Sequence, residues 1–551
     1  MNQYEGIYHI LGMVVLIYAV IFLFGQYQKR SYLKSLMNIT YSRFGKEETD
    51  VKLSEDVLKE IYEENPSDVD DITFKDLEFY RLYKKLNHTD SIMGSQALYN
   101  MLRNQHYTIK EQEVLRNKIV ELEEKVDLTK EIKFEFAKVG FFKKSLTNLL
   151  KNGIDYEKFK NLKLPTRIMR FGIVFVALAG LVDKMFAVMV LFLVLLANFY
   201  IYRELNKATA GSILDIVNLR SIFNLGIQIG KYKIDSLSEE IAEINELNSR
   251  LKRIQKKSKG IRYFKTFDES EGIRKIFDLL FLNEANKFYS IADEINKSRE
   301  DLLKLYEKLG YINALTSIVS YKIAKNLNFV EFVEEDFILE AESLRHPLLG
   351  EEQVSQDFDF SNKDILITGS NASGKSTFLR NLGINIILAN SLGLTYSKRL
   401  KTSFFKVESA IDISDSLEEK MSYFMAETKA IKRMIESFEI KKLLILDEIF
   451  KGTNTIDRIS AAYNTLSYIA KSATVVAATH DIELTELLKE YTNYHFEEQI
   501  EDEDIRFDYK LKIGRAESRN AIAILNLMGY PREIIDGSYE LASYLEDKKN
   551  I

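Results

Sequence analysis

Residues 369–377 read Gly369-Ser370-Asn371-Ala372-Ser373-Gly374-Lys375-Ser376-Thr377 and follow an apolar run, Asp364–Thr368. Two glycines at that spacing let the backbone turn so that successive N–H groups converge on phosphate oxygens. Lys375 is then placed for the β- and γ-phosphates and Ser376 for Mg²⁺. A helical stretch, Thr377–Ala389, would aim its positive end at the same anion. The expected ligands are therefore ATP and Mg²⁺, cradled by Gly369 through Thr377.

Two further strand ends carry matching chemistry. Lys442–Leu446 reads as a buried parallel strand that ends in Asp447-Glu448. Asp447 suits a Mg²⁺ hydration shell, and Glu448 suits orienting or deprotonating an attacking water. Ala473–Ala478 is a second buried run and ends in Thr479-His480. That puts an imidazole at the carboxyl edge of the sheet, where open α/β sheets bind ligands. One Asp-Glu pair or one His alone is an ordinary strand terminus. Three such features in order imply ATP hydrolysis, with Lys375, Glu448 and His480 as the catalytic set and Ser376 and Asp447 as the metal set.

Outside that sheet the chain reads as helical. Four Pro in 551 residues and long Leu/Ile/Lys/Glu stretches leave few breaks. With no Cys there is neither a disulfide framework nor a thiolate metal site, and six scattered His form no zinc pattern. A formal charge of −6 argues against a general polyanion binder. Ile234, Leu237, Ile241, Ile244, Leu247, Leu251 and Ile254 lay an apolar stripe along a helix face. It packs against a neighbouring helix of this chain or forms a dimeric coiled coil. The stripe ends in a basic cluster, Arg250–Lys265, that includes Lys252, Arg253, Lys256, Lys257, Lys259 and Arg262 and has no acid. Contact with a nucleic-acid backbone, attraction to anionic lipid head groups and a solvated helix end all fit it.

Two zones are apolar enough to face lipid. Ile7–Phe24 has eighteen residues without a formal charge, His9 counted neutral, about the length of a membrane-crossing helix. It lacks a basic leading region and a small-residue cleavage site, so it is expected to be a retained anchor. Phe171–Val182 and Met185–Tyr202, joined at Asp183-Lys184, form an apolar helical hairpin; a buried core hairpin is the alternative. Lys29-Arg30, Arg167 with Arg170, and Arg203 with Lys207 flank these segments. The positive-inside rule places all three clusters in the cytoplasm, with the amino terminus outside. The expected location is the cell inner or plasma membrane, multi-pass, with the ATP site in the cytoplasm.

The motifs resemble those of the MutS mismatch-repair family: Arg345-His346-Pro347-Leu348, the phosphate loop, Ser422-Tyr-Phe424-Met-Ala-Glu427, Asp447 through Asp457, and Ala478-Thr479-His480-Asp481. Weaker likenesses lie at Asp71–Leu77, Ser91–Leu102 and Tyr311–Ser317, where Asn313 stands for the usual Asp, and at Phe507–Gly514. The resemblance implies an ABC-type P-loop α/β ATPase domain like MutS domain V, an all-α core and lever region, and a head-to-tail homodimer in which Ser422 faces the partner's nucleotide. His480 matches the family's histidine switch. Departures are Ser370 for a proline, Arg458 for a glycine, and Ser397-Lys398 for Pro-Ala. With the apolar zones read as transmembrane helices, the expected order is an anchor at 1–25, core part at 26–166, hairpin at 167–203, lever part at 204–343 and ATPase domain at 344–551. No mismatch-reading domain is recognisable, so DNA is a possible partner rather than an assured one, and membrane lipid is the other. The resulting readings are a membrane-tethered ATPase coupled to DNA and a membrane ATPase switch acting on lipid or protein. A transporter is a poor third, since three short spans with almost no polar interior residue offer no substrate path.

Overall fold

The computed structural model describes residues 3–47, 53–62, 67–142, 146–258, 281–370, 373–411, 423–435, 441–501, 504–516, 522, 525–526 and 528–549. The chain divides into two compact units that interleave along the sequence. One takes 1–64, 87–98 and 118–321; the other takes 65–86, 99–117 and 322–551. The second unit thus draws in pieces of the stretch 26–166 that the sequence assigns to the helical core, rather than beginning at 344. The pairing of polar groups shows why. The short helix Asp71–Asp76 lies along one edge of this unit's sheet, where Asp76 accepts the Ser409 hydroxyl at 3.0 Å and the Ile411 N–H at 2.9 Å. Unpaired edge groups of a sheet are costly to leave bare, and this helix satisfies them.

The first unit is helical. Its labelled helices are α1 (Gln3–Arg43), α2 (Val126–Val139), α3 (Lys160–Met169), α4 (Gly172–Gly180), α5 (Lys184–Ile229), α6 (Ser238–Arg250), α7 (Lys252–Ser258), α8 (Asn283–Lys297) and α9 (Arg299–Lys325, in this unit through Tyr321). The apolar stripe from Ile234 to Ile254 is buried at every position. Packing within the chain accounts for it: α6 lies against α5, and Asn245 Nδ2 donates to the Gly230 carbonyl at 3.0 Å. The stripe is divided, with a 3₁₀ turn at Asp235–Leu237 before α6 and a break at Leu251 before α7.

Helix α1 runs through Ile7–Phe24, and Met13, Leu16 and Val20 through Phe24 stand exposed. Among the described residues one segment is long and apolar enough to cross a membrane, Lys184–Leu205 within α5. Its hairpin partner α4 has nine residues, about 14 Å of helix against a hydrocarbon core of about 30 Å. The hairpin arms, already unequal as Phe171–Val182 and Met185–Tyr202 in the sequence, are thus more unequal as helices.

The second unit is built on a six-stranded sheet: β1 (Asp364–Thr368), β2 (Lys406–Ala410), β3 (Lys442–Asp447), β4 (Thr474–Ala478), β5 (Tyr491–His495) and β6 (Lys512–Ile513), in spatial order β6-β5-β1-β4-β3-β2. All neighbours are parallel except β5 with β6. β3 and β4 are almost wholly buried, as strands covered on both faces must be. Helices α10 (Lys375–Leu392), α11 (Tyr423–Ile435) and α12 (Thr455–Ile469) connect the strands. Register is what matters for chemistry. Ala478 pairs with Ile367 on one side and Asp447 on the other, so β1, β3 and β4 end at one level.

Candidate nucleotide site

The phosphate loop turns where only glycine turns easily. Gly374 has φ 108° and immediately precedes α10. Gly369 has φ 148°, and a Cβ there would stand 2.6 Å from the Phe496 carbonyl oxygen. Ser373 Oγ donates to the Ser370 carbonyl at 2.8 Å, closing the loop on itself. Asn371 and Ala372 lie outside the described residues.

Lys375 is buried, and its Nζ donates to the Gly369 and Ser370 carbonyls, both at 2.8 Å, and lies 3.4 Å from His480 Nε2. One step on, Ser376 Oγ donates to Asp447 Oδ2. The other carboxylate oxygen, Asp447 Oδ1, is buried and has no hydrogen-bond partner. Burial pushes the Asp447 carboxyl above the usual carboxylate range despite the Ser376 hydroxyl. A buried acceptor without a donor, beside a hydroxyl and at the mouth of an anion-binding loop, fits a hard divalent cation. Ser376 and Asp447 are the residues that would hold Mg²⁺.

Glu448 stands at φ 51°, a strained backbone for a residue with a side chain, and its N–H donates to the Ala478 carbonyl at 2.9 Å. Its Oε1 meets His480 Nε2 at 2.5 Å and its Oε2 meets Lys451 Nζ at 2.7 Å. The His480 hydrogen bond, with help from Lys451, holds the Glu448 carboxyl down at about 2. The strand-end residues expected from sequence, Lys375, Ser376, Asp447, Glu448 and His480, thus converge on one edge. Ser422 lies outside the described residues, so its place opposite a partner's nucleotide stands only as an expectation.

Beside the loop opens a cleft of about 480 Å³. Ser370, Gly374 through Phe378 and Glu448 line one part of it, and His346, Leu349, Val354, Phe496 and Tyr509 line another. His346 Nδ1 accepts the Leu348 N–H at 3.1 Å, and burial lowers its pKa to about 4, which keeps the ring neutral. His346 and Tyr509 lie in family-like motifs of the sequence, but nothing there joins them to Leu349, Val354 and Phe496 as one wall, because these residues come from four separate places in the chain.

Two other partners escaped the sequence reading. Lys451 had no signal beyond lying three residues after Glu448. Arg458, noted as a departure, makes a two-pronged contact with Asp481 at 2.8 and 2.7 Å, which ties the start of α12 to the residue after His480. Glu427 is buried; its carboxylate accepts the Lys451 N–H at 3.2 Å, and burial raises its pKa.

The basic cluster belongs to the first unit and is largely neutralised where it is described. Lys257 pairs with Glu294 at 2.9 Å, and Arg253 approaches the same carboxylate at 3.7 Å. Arg250 pairs with Glu246 and Asp301. Lys252 and Lys256 are exposed, with no acid in ion-pair range among the described residues. Lys259 and Arg262 fall outside those residues.

Residues 365–546 match the family model of MutS domain V. The DNA mismatch repair protein MutS of Aquifex pyrophilus is 31% identical over 268 residues, which cover 46% of this chain and 31% of that protein. Its namesake from Protochlamydia amoebophila is 27% identical over 351 residues, 61% of this chain and 40% of that protein. The Thermotoga maritima MutS is 30% identical over 271 residues, 47% and 34% respectively. The chain thus spans about a third of the length of these relatives. The likeness is carried by residues 365–546, the part of the chain that is similar to domain V of the MutS family.

Proposed function

We propose that this chain is a membrane-held MutS-type ATPase that binds ATP with Mg²⁺ at the carboxyl edge of the β1–β4 sheet and hydrolyses it in a head-to-tail homodimer. The observation that carries the reading is the Ser376–Asp447 pair with its unpartnered Oδ1, set beside Lys375 at the start of α10. Mg²⁺, once bound, would neutralise charge on the phosphates. The chain's own groups do the rest. The loop N–H groups and Lys375 exchange their internal contacts for phosphate oxygens. Glu448, kept ionised by His480 and Lys451, is an acceptor able to orient water or take its proton. His480 touches both Lys375 and Glu448, so it can report the state of one to the other. Ser422 of a second copy would complete the site across the dimer.

The test is Glu448→Gln in the full chain, held in detergent. Turnover should fall by about a hundredfold or more while ATP stays bound and dimers accumulate. Unchanged turnover would remove Glu448 from this role.

The relatives are named DNA mismatch repair proteins, and DNA association is the second reading, carried by the exposed Lys252 and Lys256. Retention on duplex DNA that fades as salt rises, and that is lost in a Lys252→Gln, Lys256→Gln variant, would establish it. Without it, the site serves a membrane switch acting on lipid or protein.

A further inference from the structure

The hairpin of α4 and α5 has a measurable register. A Cβ on Gly172 would meet Val194 Cγ1 at 2.5 Å, and one on Gly180 would lie 3.7 Å from the Ala187 Cβ. The arms therefore run antiparallel, with Gly172 at the level of Val194 and Arg167 and Arg170 lying just beyond that end of α4. Polar structure reaches up to that level and stops there. Asn286 of α8 donates to the Thr166 carbonyl at 3.2 Å, Lys163 pairs with Asp293 at 2.8 Å, and Ile201 and Leu205 of α5 are buried in the unit.

Beyond it both arms are bare. Ile173, Val174, Phe175 and Leu178 on α4, and Val188, Met189, Phe192, Leu193 and Leu196 on α5, are exposed. At the tip Leu181, Val182 and Met185 are 83, 79 and 76% exposed on either side of Asp183-Lys184. Apolar surface on several faces, with cations at one end and a charged pair at the other, is the polarity pattern of a lipid-crossing element. A soluble docking patch is one-sided and smaller.

From Arg170 to Asp183 is thirteen residues, nine-residue α4 with a turn at each end, roughly 20 Å at a helical rise against a hydrocarbon core of about 30 Å. Two outcomes compete. If the tip stops inside the bilayer, Asp183 and Lys184 lose water at a cost of about 2.5–3.5 kcal/mol each. If it emerges on the far side, the bilayer must thin by about 10 Å at a fraction of a kcal/mol per Å. Reach by Arg170 and Lys184 toward their nearest head groups reduces that deficit further. At less than about 0.5 kcal/mol per Å, thinning by about 10 Å costs under about 5 kcal/mol, below the combined cost of burying both charges. Resting on the membrane-held reading above, we infer that the α4–α5 hairpin is an undersized crossing element whose partner is a thin or locally thinned bilayer, so that its engagement depends on lipid thickness.

The chain has no native cysteine, so single-cysteine variants report cleanly. Full-length Val182→Cys and, independently, Met185→Cys would be reconstituted into sealed vesicles of monounsaturated phosphatidylcholine with phosphatidylglycerol. The acyl chains would be short, ordinary or long, and Lys252→Cys would mark the near compartment. Labelling of the tip by a membrane-impermeant maleimide from the far compartment should be strong in short-chain vesicles and fall steeply as the chains lengthen. Equal far-side labelling at every thickness would overturn the inference, because the hairpin would then not be undersized. A tip unlabelled from either side at every thickness, yet quenched by nitroxides near the acyl-chain ends, would overturn it in favour of a dead-end insertion. In both cases the membrane reading survives. A tip labelled from the Lys252 side in all vesicles would overturn both, for the hairpin would not be in lipid.

Discussion

The carboxyl edge of the β1–β4 sheet and the α4–α5 hairpin meet opposite physical demands. At the sheet edge, buried apolar strands carry polar side chains to one level, where Lys375, Ser376, Glu448 and His480 find partners and Asp447 Oδ1 does not. In the hairpin, apolar side chains are carried outward and the protein supplies no cover. The first region takes its surroundings from its own chain, so its residues answer to one another. The second takes its surroundings from whatever lies outside, so its residues answer to length and hydropathy alone.

Paired leucines test this contrast most severely. Leu444 in β3 is fully buried, whereas Leu193 in α5 is 55% exposed. Leu444→Ala should cost about 2–5 kcal/mol, because the vacated volume lies within packed strands and helices. Leu193→Ala should stay within about 0.5 kcal/mol in detergent, like other exposed substitutions. Denaturant titration of both variants decides it. Equal losses would mean that the hairpin is covered by protein and would dissolve the distinction.

Lys375→Ala probes the sheet edge by function. Removing a charged donor from the phosphates should weaken ATP binding by about 1.5–3 kcal/mol, roughly ten- to a hundredfold. The fold should persist, since the carbonyls of Gly369 and Ser370 that Lys375 now serves sit at the loop surface beside the cleft. Titration with a fluorescent ATP analogue reads the first effect and circular dichroism the second. Unchanged affinity would show that Lys375 does not reach the phosphates.

These regions also differ in how far the sequence discloses them. The sheet edge was legible because each residue closes a run of buried strand, and strands end where apolar side chains stop. Lys375, Ser376, Asp447, Glu448 and His480 could be placed together before any coordinate was known. The far wall of the cleft was not, since His346, Val354, Phe496 and Tyr509 are joined only by tertiary folding. Likewise, nothing in Asp71–Asp76 announces that it caps β2; its pattern is that of an ordinary short amphipathic helix. In the hairpin, hydropathy was legible and length was not. The residues 171–182 are apolar throughout, yet α4 ends at Gly180 and begins at Gly172, after the Arg170 turn that closes α3. Apolarity says where a segment prefers to be, while the packing of α3 against α8 decides how much of it is free to go there.

Asp76 sharpens the contrast on the protein-covered side. It is buried, and its carboxylate holds both the Ser409 hydroxyl and the Ile411 N–H. Asp76→Ala leaves an edge N–H without a partner, which costs about 1–3 kcal/mol. Hydrogen exchange should accelerate at Ile411, whose N–H loses its acceptor, and remain unchanged in β4. Uniform acceleration would mean that this helix supports the whole unit rather than one edge.

The smallest effect runs the other way, toward greater stability. Asp364 opens β1, and burial raises its carboxyl to about 6, against the pull of the Val475 N–H that donates to it at 2.8 Å. An acid whose folded pKa lies above its unfolded value binds its proton more tightly when folded. The native state therefore loses stability as pH rises from about 4 to about 6. Asparagine keeps an oxygen for Val475 and carries no charge to desolvate. Asp364→Asn should stabilise the second unit at pH 7 by roughly 1 kcal/mol, taking 1.36 kcal/mol per pKa unit and reducing it for the partial exposure of the site. The gain should shrink as pH falls below 6 and vanish near 4. Denaturant midpoints of both proteins at pH 7, 5.5 and 4 would show it. A gain that does not depend on pH would assign the effect to packing at the strand end, because only the loss of a titrating charge can make it fade in acid.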